Sequence, residues 1–527
     1  MNPKRVVIVG GGFGGIYTAR FLEKLLRPEE ADICLVNREN YFVFQPLLPE
    51  VLSGSIGIAD TVSPIRRLCP RTRLFMREVE SIDLARRIVV LAPSLRPRAI
   101  ELTYDFLVIA AGTVTDFSGM PGMAEHAIPF RTLGDALRLR NRVLEALEEA
   151  ANESDPAFRQ RLLTFVVAGG GFSGVEAIAE LNDFLVRAAR DFGNIRRAEI
   201  RCVLVHSGEQ ILPEMSPPLA QYAQKLLLKR GVELKLKSRV VSATADSAVL
   251  KGGETIPTRT LVSTVPSGPV PVIQALDCAK DKGRLMANSH LELQGHEGAV
   301  WALGDCATAG PPTAQHAIRE AGVVAENIRA AIRGGQRREF TFAGLGKLGS
   351  LGHHSAVAEV FGTRISGFLA WFLWRTVYLM KMPGVDRKFR VGIDWFAALL
   401  FPPDLVQLRI QASDNITNEH FEPGEVIFER GDVGDRLYVI RKGEVEVVRD
   451  GARLALLGAG DYFGEMALLS SAPRNATVRA TQPADILAIN KGDFTKLMTG
   501  FPEFHSGLAD LASRRGGNSI REQRTAG

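Results

Sequence analysis

The stretch RVVIVGGGFGGIYTARF, residues 5–21, decides the fold of this chain. An apolar run at residues 6–9 ends at a glycine cluster, and apolar residues then recur at helical intervals, so the stretch predicts a strand, a tight turn and a helix. The glycines follow the G-x-G-x-x-G spacing, in which a pyrophosphate lies against the N-terminus of the helix. They are Gly10, Gly12 and Gly15.

The same arrangement occurs a second time, in LTFVVAGGGFSGVEAIAEL at residues 163–181. Its glycines Gly169, Gly171 and Gly174 keep the spacing. A single glycine-rich turn between a strand and a helix can serve packing alone, so the repetition carries the argument. Two copies in one chain predict two dinucleotide sites.

The composition is that of an ordered globular chain. It has 527 residues, of which 46% are hydrophobic and 23% charged, and this length predicts roughly three or four domains. The net charge of +5 is too diffuse to indicate nucleic acid and is compatible with an anionic membrane surface. The five cysteines stand singly, which indicates neither a disulfide framework nor a metal site. No signal peptide precedes the first strand, so a cytoplasmic location is expected.

Candidate cofactor contacts stand at the ends of the predicted strands of the first unit. The second strand ends at Asn37, where an acid normally binds a ribose, and Glu39 is the alternative for that role. The strand of YDFLVIAAGT ends at Gly112, where backbone allows a cofactor to approach. The strand of GAVWALGDCATAG ends at Asp305, whose carboxylate suits a polyol.

In the second unit, the strand of RCVLVHSGEQILP ends at His206, where a carboxylate would select NADH through the ribose 2′-hydroxyl. A neutral histidine does not repel a 2′-phosphate, so NADPH stays open beside NADH. Glu209 is the alternative source of an acid. Two amphipathic helices are predicted elsewhere, at 132–150 and 313–332.

The segment 364–401 contains three of the four tryptophans. Neither of its apolar runs reaches the about 20 residues that a membrane-spanning helix needs. Aromatic residues beside cations suit helices that lie in a membrane surface, with Trp371, Trp374 and Trp395 at headgroup depth and Arg375 against anionic lipid. An ordinary packed core or a homodimer interface is the alternative.

Beyond residue 403 the pattern changes to short strands separated by glycines, which predicts an all-β barrel. Its last part, DYFGEMALLSSAPRNATVRA, resembles the phosphate-binding cassette of cyclic nucleotide-binding domains. The resemblance implies that Arg474 binds the cyclic phosphate, that Gly464 offers backbone amides and that Glu465 accepts from the ribose 2′-hydroxyl. Thr477 is a further contact, and cyclic AMP and cyclic GMP both remain open as ligands.

Residues 4 to about 400 resemble the type II NADH:quinone oxidoreductases. The resemblance rests on the two glycine fingerprints, NYFVFQPLLPEVLSGS, LVIAAGT, WALGDCA and TAQHA. It implies that the first fingerprint holds FAD, that the second holds NADH, and that electrons pass to a membrane quinone without proton pumping. It also implies peripheral attachment to the cytoplasmic face of the cell membrane.

Carried over residue by residue, the resemblance makes Gly10, Gly12, Gly15, Gly112 and Asp305 FAD contacts, and Gly169, Gly171, Gly174 and Glu176 the nicotinamide side. Glu176 and Gln315 are the candidate catalytic residues. The family pattern Ala-Gln-x-Ala-x-Gln is kept only in part, because Arg319 stands where the second glutamine belongs. A non-quinone acceptor, or a slowly turning redox and cyclic-nucleotide sensor, is the alternative function.

The predicted fold class is therefore α/β, with two Rossmann-like units, an amphipathic membrane element and a jelly-roll barrel. The expected domains are an FAD domain at 1–130 and 280–340, an NAD(P)H domain at 131–279, a membrane-surface segment at 341–403, a cyclic nucleotide domain at 414–500 and a disordered tail at 512–527.

Overall fold

The computed structural model describes residues 3–94, 98–265, 267–401, 404–408, 416–421, 423–470 and 472–500. The predicted disordered tail at 512–527 lies outside these ranges. The chain divides into two compact units. The first unit comprises Met1–Ile88 and Thr103–Arg409, and the second Val89–Leu102 and Ile410–Gly527.

Residues 4–129, of which Val89–Leu102 belong to the second unit, alternate short strands and helices. The strands are β1 (Lys4–Val9), β2 (Ala31–Asn37), β3 (Tyr41–Val43), β4 (Val62–Pro64), β5 (Arg73–Met76), β6 (Val79–Asp83), β7 (Ile88–Leu91), β8 (Ile100–Thr103), β9 (Phe106–Ile109), β10 (Thr113–Thr115) and β11 (Ala127–Pro129), and the helices are α1 (Phe13–Leu25), α2 (Leu48–Leu52), α3 (Ile65–Leu68) and α4 (Met123–His126).

The next part of the chain, residues 133–274, begins with the first of the two predicted amphipathic helices. Its helices are α5 (Leu133–Asn152), α6 (Pro156–Leu162), α7 (Phe172–Ala188), α8 (Pro217–Lys229) and α9 (Pro271–Gln274), and its strands are β12 (Thr164–Ala168), β13 (Arg201–Val205), β14 (Val232–Lys235), β15 (Val240–Ala243), β16 (Ser247–Leu250), β17 (Thr255–Pro257), β18 (Thr260–Ser263) and β19 (Ser267–Pro269).

In the remainder of the first unit, strand β22 (Val300–Ala302) pairs with β9. The chain then forms a three-stranded antiparallel sheet and two helices. The elements of this part are β20 (Lys280–Asp281), β21 (Arg284–Leu285), β22, α10 (Ala314–Arg333), β23 (Gly346–Ser350), β24 (Ala356–Val360), β25 (Thr363–Gly367), α11 (Phe368–Lys381) and α12 (Val385–Leu400).

Two five-stranded parallel sheets organise the first unit. The first has the order β22-β9-β1-β2-β5 and the second β11-β18-β12-β13-β14. The central strands β1 and β12 are buried on both faces, which explains their continuous apolar runs. Because parallel strands end at the same edge of a sheet, each glycine turn lies beside the ends of the neighbouring strands. This confirms the predicted fold of two dinucleotide-binding units.

Capping residues fix where the two predicted amphipathic helices begin. Thr132 and Asp135 form a capping box at the start of α5, and the Thr313 hydroxyl accepts from the backbone N–H of His316 at the start of α10. Both helices therefore begin within a residue of the prediction. None of the helices in the described ranges combines the length and apolar character needed to cross a bilayer.

The second unit is predominantly β-structure, as predicted. Two four-stranded antiparallel sheets have the orders β26-β33-β28-β31 and β27-β32-β29-β30. The elements are β26 (Ile416–Phe421), β27 (Val426–Phe428), β28 (Arg436–Lys442), β29 (Glu444–Arg449), β30 (Ala452–Gly458), β31 (Tyr462–Phe463), α13 (Glu465–Ser470), β32 (Thr477–Ala480), β33 (Ala484–Asn490) and α14 (Lys491–Gly500).

Candidate functional sites

The first glycine turn has two glycines packed against backbone and one that faces open space. A Cβ on Gly10, whose φ is +106°, would lie 2.3 Å from the carbonyl oxygen of Ala110, and a Cβ on Gly15 would lie 1.8 Å from that of Gly10. A Cβ on Gly12 would meet no atom of the described residues within 4 Å. The turn therefore leaves a cradle at the N-terminus of α1 that fits the pyrophosphate of FAD.

Asn37 holds this turn in place. Its Oδ1 accepts a hydrogen bond from the backbone N–H of Gly11 at 2.9 Å, and its Nδ2 donates to the carbonyl oxygen of Glu39 at 2.8 Å. The amide thus joins the glycine turn to the end of β2. The Glu39 side chain, the predicted alternative ribose contact, is exposed at that same end.

Gly112 and Asp305 lie at the same edge of the first sheet. Gly112 has a φ of +67°, and a Cβ there would also meet open space among the described residues. Asp305 lies 3.7 Å from the Arg131 guanidinium; burial raises the pKa of its carboxyl, and Arg131 opposes that shift. Arg131 was not a sequence-based candidate, since it follows β11 far from both glycine motifs.

The second glycine turn repeats the first. A Cβ on Gly169, whose φ is +117°, would lie 2.2 Å from the hydroxyl oxygen of Thr264, and a Cβ on Gly174 would lie 1.8 Å from the carbonyl oxygen of Gly169. At Gly171 the nearest described atom would be the Glu214 Oε1 at 3.5 Å. The turn therefore leaves room for backbone to approach a second pyrophosphate.

His206 holds the second glycine turn in place, as Asn37 holds the first. Its Nδ1 accepts a hydrogen bond from the backbone N–H of Gly170 at 3.2 Å, so Nδ1 carries no proton. Burial lowers the pKa of the imidazole, which favours the neutral ring that this hydrogen bond requires. The imidazole is thus turned onto the glycine loop.

Glu176 belongs to a buried group of carboxyls around α7 and α2. Its Oε1 accepts from the backbone N–H of Ser350 at 2.9 Å, and burial raises the pKa of Glu176 to about 8. One helical turn further, burial raises the pKa of Glu180 to about 8 as well. Both carboxyls therefore hold protons at neutral pH. Glu180 was not predicted, although its spacing of four residues places it on the same helix face.

Glu50 is the third carboxyl of this group and contacts side chains of both α11 and α12. Its Oε1 lies 3.0 Å from Arg375 Nη2 on α11, and its Oε2 accepts from Trp395 Nε1 on α12 at 2.9 Å. The Arg375 guanidinium lies over the rings of Trp371 at 4.1 Å and Trp395 at 4.6 Å. Sequence reasoning missed this contact, because no local pattern joins residues so distant in the chain.

The expectation that these aromatic rings and Arg375 lie at headgroup depth is therefore wrong. The exposed fractions of Trp371, Trp374 and Trp395 are 8%, 1% and 7%, and the Arg375 side chain is 15% exposed. The physical reason is that the indole rings fill a core shared with α1 and β3, while the cation is paired with Glu50. The packed-core alternative holds for these four residues.

Other apolar side chains of the same two helices face solvent. Phe389 is 71% and Phe396 64% exposed. Such a large exposed apolar surface is unusual for a monomeric soluble protein. The exposed large hydrophobic residues of α11 and α12, here called the apolar face, are Phe368, Leu369, Phe372, Met380, Val385, Phe389, Ile393, Phe396, Leu399 and Leu400.

Gln315 is tied to the main chain that follows α10. Its Nε2 donates to the carbonyl oxygen of Gly346, and its Oε1 accepts from the backbone N–H of Leu345, both at 3.1 Å. Arg319, which departs from the family pattern, is exposed with its guanidinium 5.4 Å from the centroid of the Phe342 ring. Both side chains thus contact the connection between α10 and β23.

In the second unit, Arg474 is 4% exposed and lies beside Gly464. It donates to the carbonyl oxygens of Gly464 and Arg436, each at 2.8 Å, and its guanidinium stacks 4.2 Å from the centroid of Phe428. Its Nε is buried without a hydrogen-bond partner in the described structure. A buried donor of this kind fits an anionic ligand.

The other predicted contacts of this unit are arranged around Arg474. Gly464 has a φ of +88°, and a Cβ there would lie 2.5 Å from Arg474 Nη1. Glu465 begins α13 and is buried. The Thr477 hydroxyl accepts from the backbone N–H of Arg430 at 3.0 Å. Gly464, Glu465 and Arg474 are therefore brought together as the cassette requires.

Comparison with known proteins bears on each part of the chain. Residues 4–321 match the pyridine nucleotide-disulphide oxidoreductase family, 345–404 the NDH2 C-terminal domain and 418–500 the cyclic nucleotide-binding domain. The type II NADH:quinone oxidoreductase Ndh of Mycobacterium tuberculosis is 32% identical over 75% of this chain and 88% of its own length. The chain belongs to the type II NADH:quinone oxidoreductases.

A second relative is similar in sequence, and a solved structure is similar in fold. The demethylphylloquinone reductase NdbB of Synechocystis is 31% identical over 74% of this chain and 95% of its own length. The solved structure of NDH2 from Plasmodium falciparum in complex with NADH has a TM-score of 0.72 and 18% identity, and covers 77% of this chain and all of that one. Membership confirms the prediction of an FAD-dependent, NADH-using flavoprotein.

Proposed function

We propose that this type II NADH:quinone oxidoreductase oxidises NADH at the second glycine turn and reduces a membrane quinone, with FAD held at the first. The observation that supports this best is the repeated cradle: each turn has two glycines packed against neighbouring atoms and a middle one facing space. FAD, when bound, supplies the acceptor for the hydride of NADH and passes its electrons onward.

The side chains take simple roles in this proposal. Asn37 and His206 keep the two turns in the shape that accepts a pyrophosphate, and Gly112 and Asp305 border the first site. Glu176 lies on α7, the helix that follows the second glycine turn, and holds a proton there, since its pKa is raised to about 8. Quinone reduction consumes protons, so a protonated carboxyl suits that task better than an ionised one.

Purified protein tests the proposal through its flavin. We expect a yellow protein whose flavin absorbance bleaches on addition of NADH and recovers on addition of a soluble quinone, with sustained turnover when both are present. Bleaching without sustained turnover would instead favour the alternative of a redox sensor or of a non-quinone acceptor. A colourless protein would contradict the proposal.

We further propose that the apolar face of α11 and α12 attaches the enzyme peripherally to the cytoplasmic face of the cell membrane. Its phenylalanine and leucine side chains would insert, whereas the buried tryptophans would not. The double variant F389S/F396S should lose co-sedimentation with anionic vesicles and keep NADH-driven bleaching. Leu228→Ser, a matched change of an exposed leucine on α8, should bind vesicles like the wild type. Equal loss in both variants would contradict the assignment.

The second unit is proposed to bind cyclic AMP or cyclic GMP and to regulate the enzyme. Support comes from the buried Arg474 with its unpartnered Nε beside Gly464 and Glu465. Calorimetry should detect binding of one nucleotide to the wild type and none to Arg474→Glu, which opposes the cyclic phosphate with like charge. Arg479→Glu, an exposed position on β32, is the control that should still bind. A homodimer and the domain boundaries given above remain predictions.

A further inference from the structure

The end of β13 has no carboxylate where an NADH-specific site would place one against the adenosine ribose. His206 stands there with its ring turned onto the glycine loop, since Nδ1 accepts from Gly170. Its other ring nitrogen, Nε2, is buried and lies 2.7 Å from where a Cβ on Gly208 would be. Nε2 has no hydrogen-bond partner among the described residues, so His206 brings an unpartnered ring nitrogen but no negative charge to this strand end.

Glu209 follows this strand end, and Lys237 follows the end of the neighbouring strand β14. They form an ion pair at 2.8 Å, with their side chains 82% and 70% exposed. The backbone N–H of Lys237 donates to the carbonyl oxygen of Gly208 at 3.0 Å, and that of Ser238 to the carbonyl oxygen of His206 at 3.0 Å. These hydrogen bonds hold the loops after β13 and β14 together, so the pair stays beside the strand end.

The surrounding charges leave this region without an excess of negative charge. The sequence KLKSR at 235–239 carries three cations, of which Lys235 pairs with Glu254 at 2.7 Å and Arg239 is exposed. A further carboxylate, Glu214, lies against the glycine loop at Gly171. A 2′-phosphate approaching Lys237 would therefore meet cations as well as the carboxylate of Glu209 and, at the glycine loop, that of Glu214.

We propose that the Glu209–Lys237 pair sets the choice of nicotinamide cofactor and that the enzyme takes NADPH as well as NADH. With NADH, the ribose hydroxyls donate to the Glu209 carboxylate while Lys237 stays paired. With NADPH, the 2′-phosphate forms an ion pair with the Lys237 ammonium in place of Glu209, whose side chain turns toward solvent. The inference rests on the proposed function, because it concerns the same nucleotide site.

Binding of adenosine 2′,5′-bisphosphate and of AMP to the holoenzyme tests the pair directly by calorimetry. We expect Lys237→Asn to weaken the bisphosphate about 10-fold relative to AMP, which corresponds to about 1.4 kcal/mol. Asparagine is chosen because Lys237 has a φ of 52°, a region that asparagine tolerates. Lys235→Gln, which removes the other paired lysine, is the matched control and should leave that ratio as in the wild type.

Flavin bleaching gives the second measurement. We expect NADPH to bleach the wild-type flavin, Glu209→Gln to raise the NADPH to NADH ratio of kcat/KM about 10-fold, and Lys237→Asn to lower it about 10-fold. If NADH but not NADPH bleaches the wild-type flavin, or if each variant changes kcat/KM equally for both cofactors, the inference is wrong while the proposed function stands. Failure of NADH itself to bleach the flavin would contradict the proposed function instead.

Discussion

Replacing Glu50 with alanine should loosen the attachment of α11 and α12 to the rest of the first unit. Glu50 is 3% exposed and joins three elements: it lies on α2, accepts from Arg375 on α11 and accepts from Trp395 on α12. Alanine removes both acceptors at once. The Arg375 guanidinium would then remain between two indole rings without its carboxylate.

The expected cost follows from that uncompensated charge. Removing one partner of a buried ion pair costs about 3–5 kcal/mol, because the other charge stays buried. Against a typical total stability of about 5–15 kcal/mol this is a large fraction. Glu50→Gln keeps one acceptor oxygen, which can serve either Trp395 or Arg375 but not both, so we expect a smaller loss than for alanine, of about 1–3 kcal/mol.

Urea unfolding followed by tryptophan fluorescence measures the effect, since three of the four tryptophans lie on these helices. The matched control is Glu145→Ala, which breaks the exposed pair with Arg142 at 2.9 Å and should cost about 0–1 kcal/mol. We expect the loss of stability to be largest for Glu50→Ala, smaller for Glu50→Gln and smallest for the control Glu145→Ala. A Glu50→Ala loss no larger than that of the control would refute the reasoning.

Three other predictions concern separate features of the first unit. Gly12→Val should fold but purify without yellow flavin, because its side chain enters open space, whereas Gly15→Val should fail to fold, because its Cβ would lie 1.8 Å from a backbone oxygen; retained flavin in the first variant would contradict the site. The free energy of unfolding should fall by up to about 1.4 kcal/mol per pH unit as pH rises from about 4.5 to about 8. The reason is that the folded protein keeps a proton on Glu180 that the unfolded chain releases. Glu180→Gln should reduce that slope in pH-dependent urea unfolding without abolishing it, because the pKa of Glu176 is raised to about 8 as well; an unchanged slope would argue against a protonated Glu180. Asn141→Ala should speed proteolysis at residues 404–408, because two hydrogen bonds hold Leu408 to this side chain, and unchanged cleavage would exclude that anchor.

Several features could be predicted from the sequence because their physical causes are local. A strand, a glycine at positive φ and a helix follow one another within a few residues, so the two turns are readable from their spacing. The starts of α5 and α10 depend on Thr132 and Thr313, each of which contacts a residue within its own first turn. The cassette around Gly464 and Arg474 is similarly short.

The direction of side chains on α11 and α12 could not be read in this way. The sequence shows where the aromatic residues are concentrated, and both an apolar core and a membrane surface suit that composition. Only packing against α1, β3 and Glu50 turns the tryptophans inward and leaves Phe389 and Phe396 outside. Their opposite environments follow from which face of each helix meets the protein.

The sequence by itself determined two dinucleotide units, a helical C-terminal segment and a β-rich cyclic nucleotide domain, because each depends on contacts within one turn or on strand periodicity. Tertiary structure alone decided that Asn37 and His206 hold the glycine turns, and that Glu50 meets Arg375 across 325 residues of chain. It also raises the pKa of the Glu176 and Glu180 carboxyls, which favours their protonated forms. The physical reason is that burial, and the pKa shift that burial causes, arise only when elements distant in sequence close around a side chain.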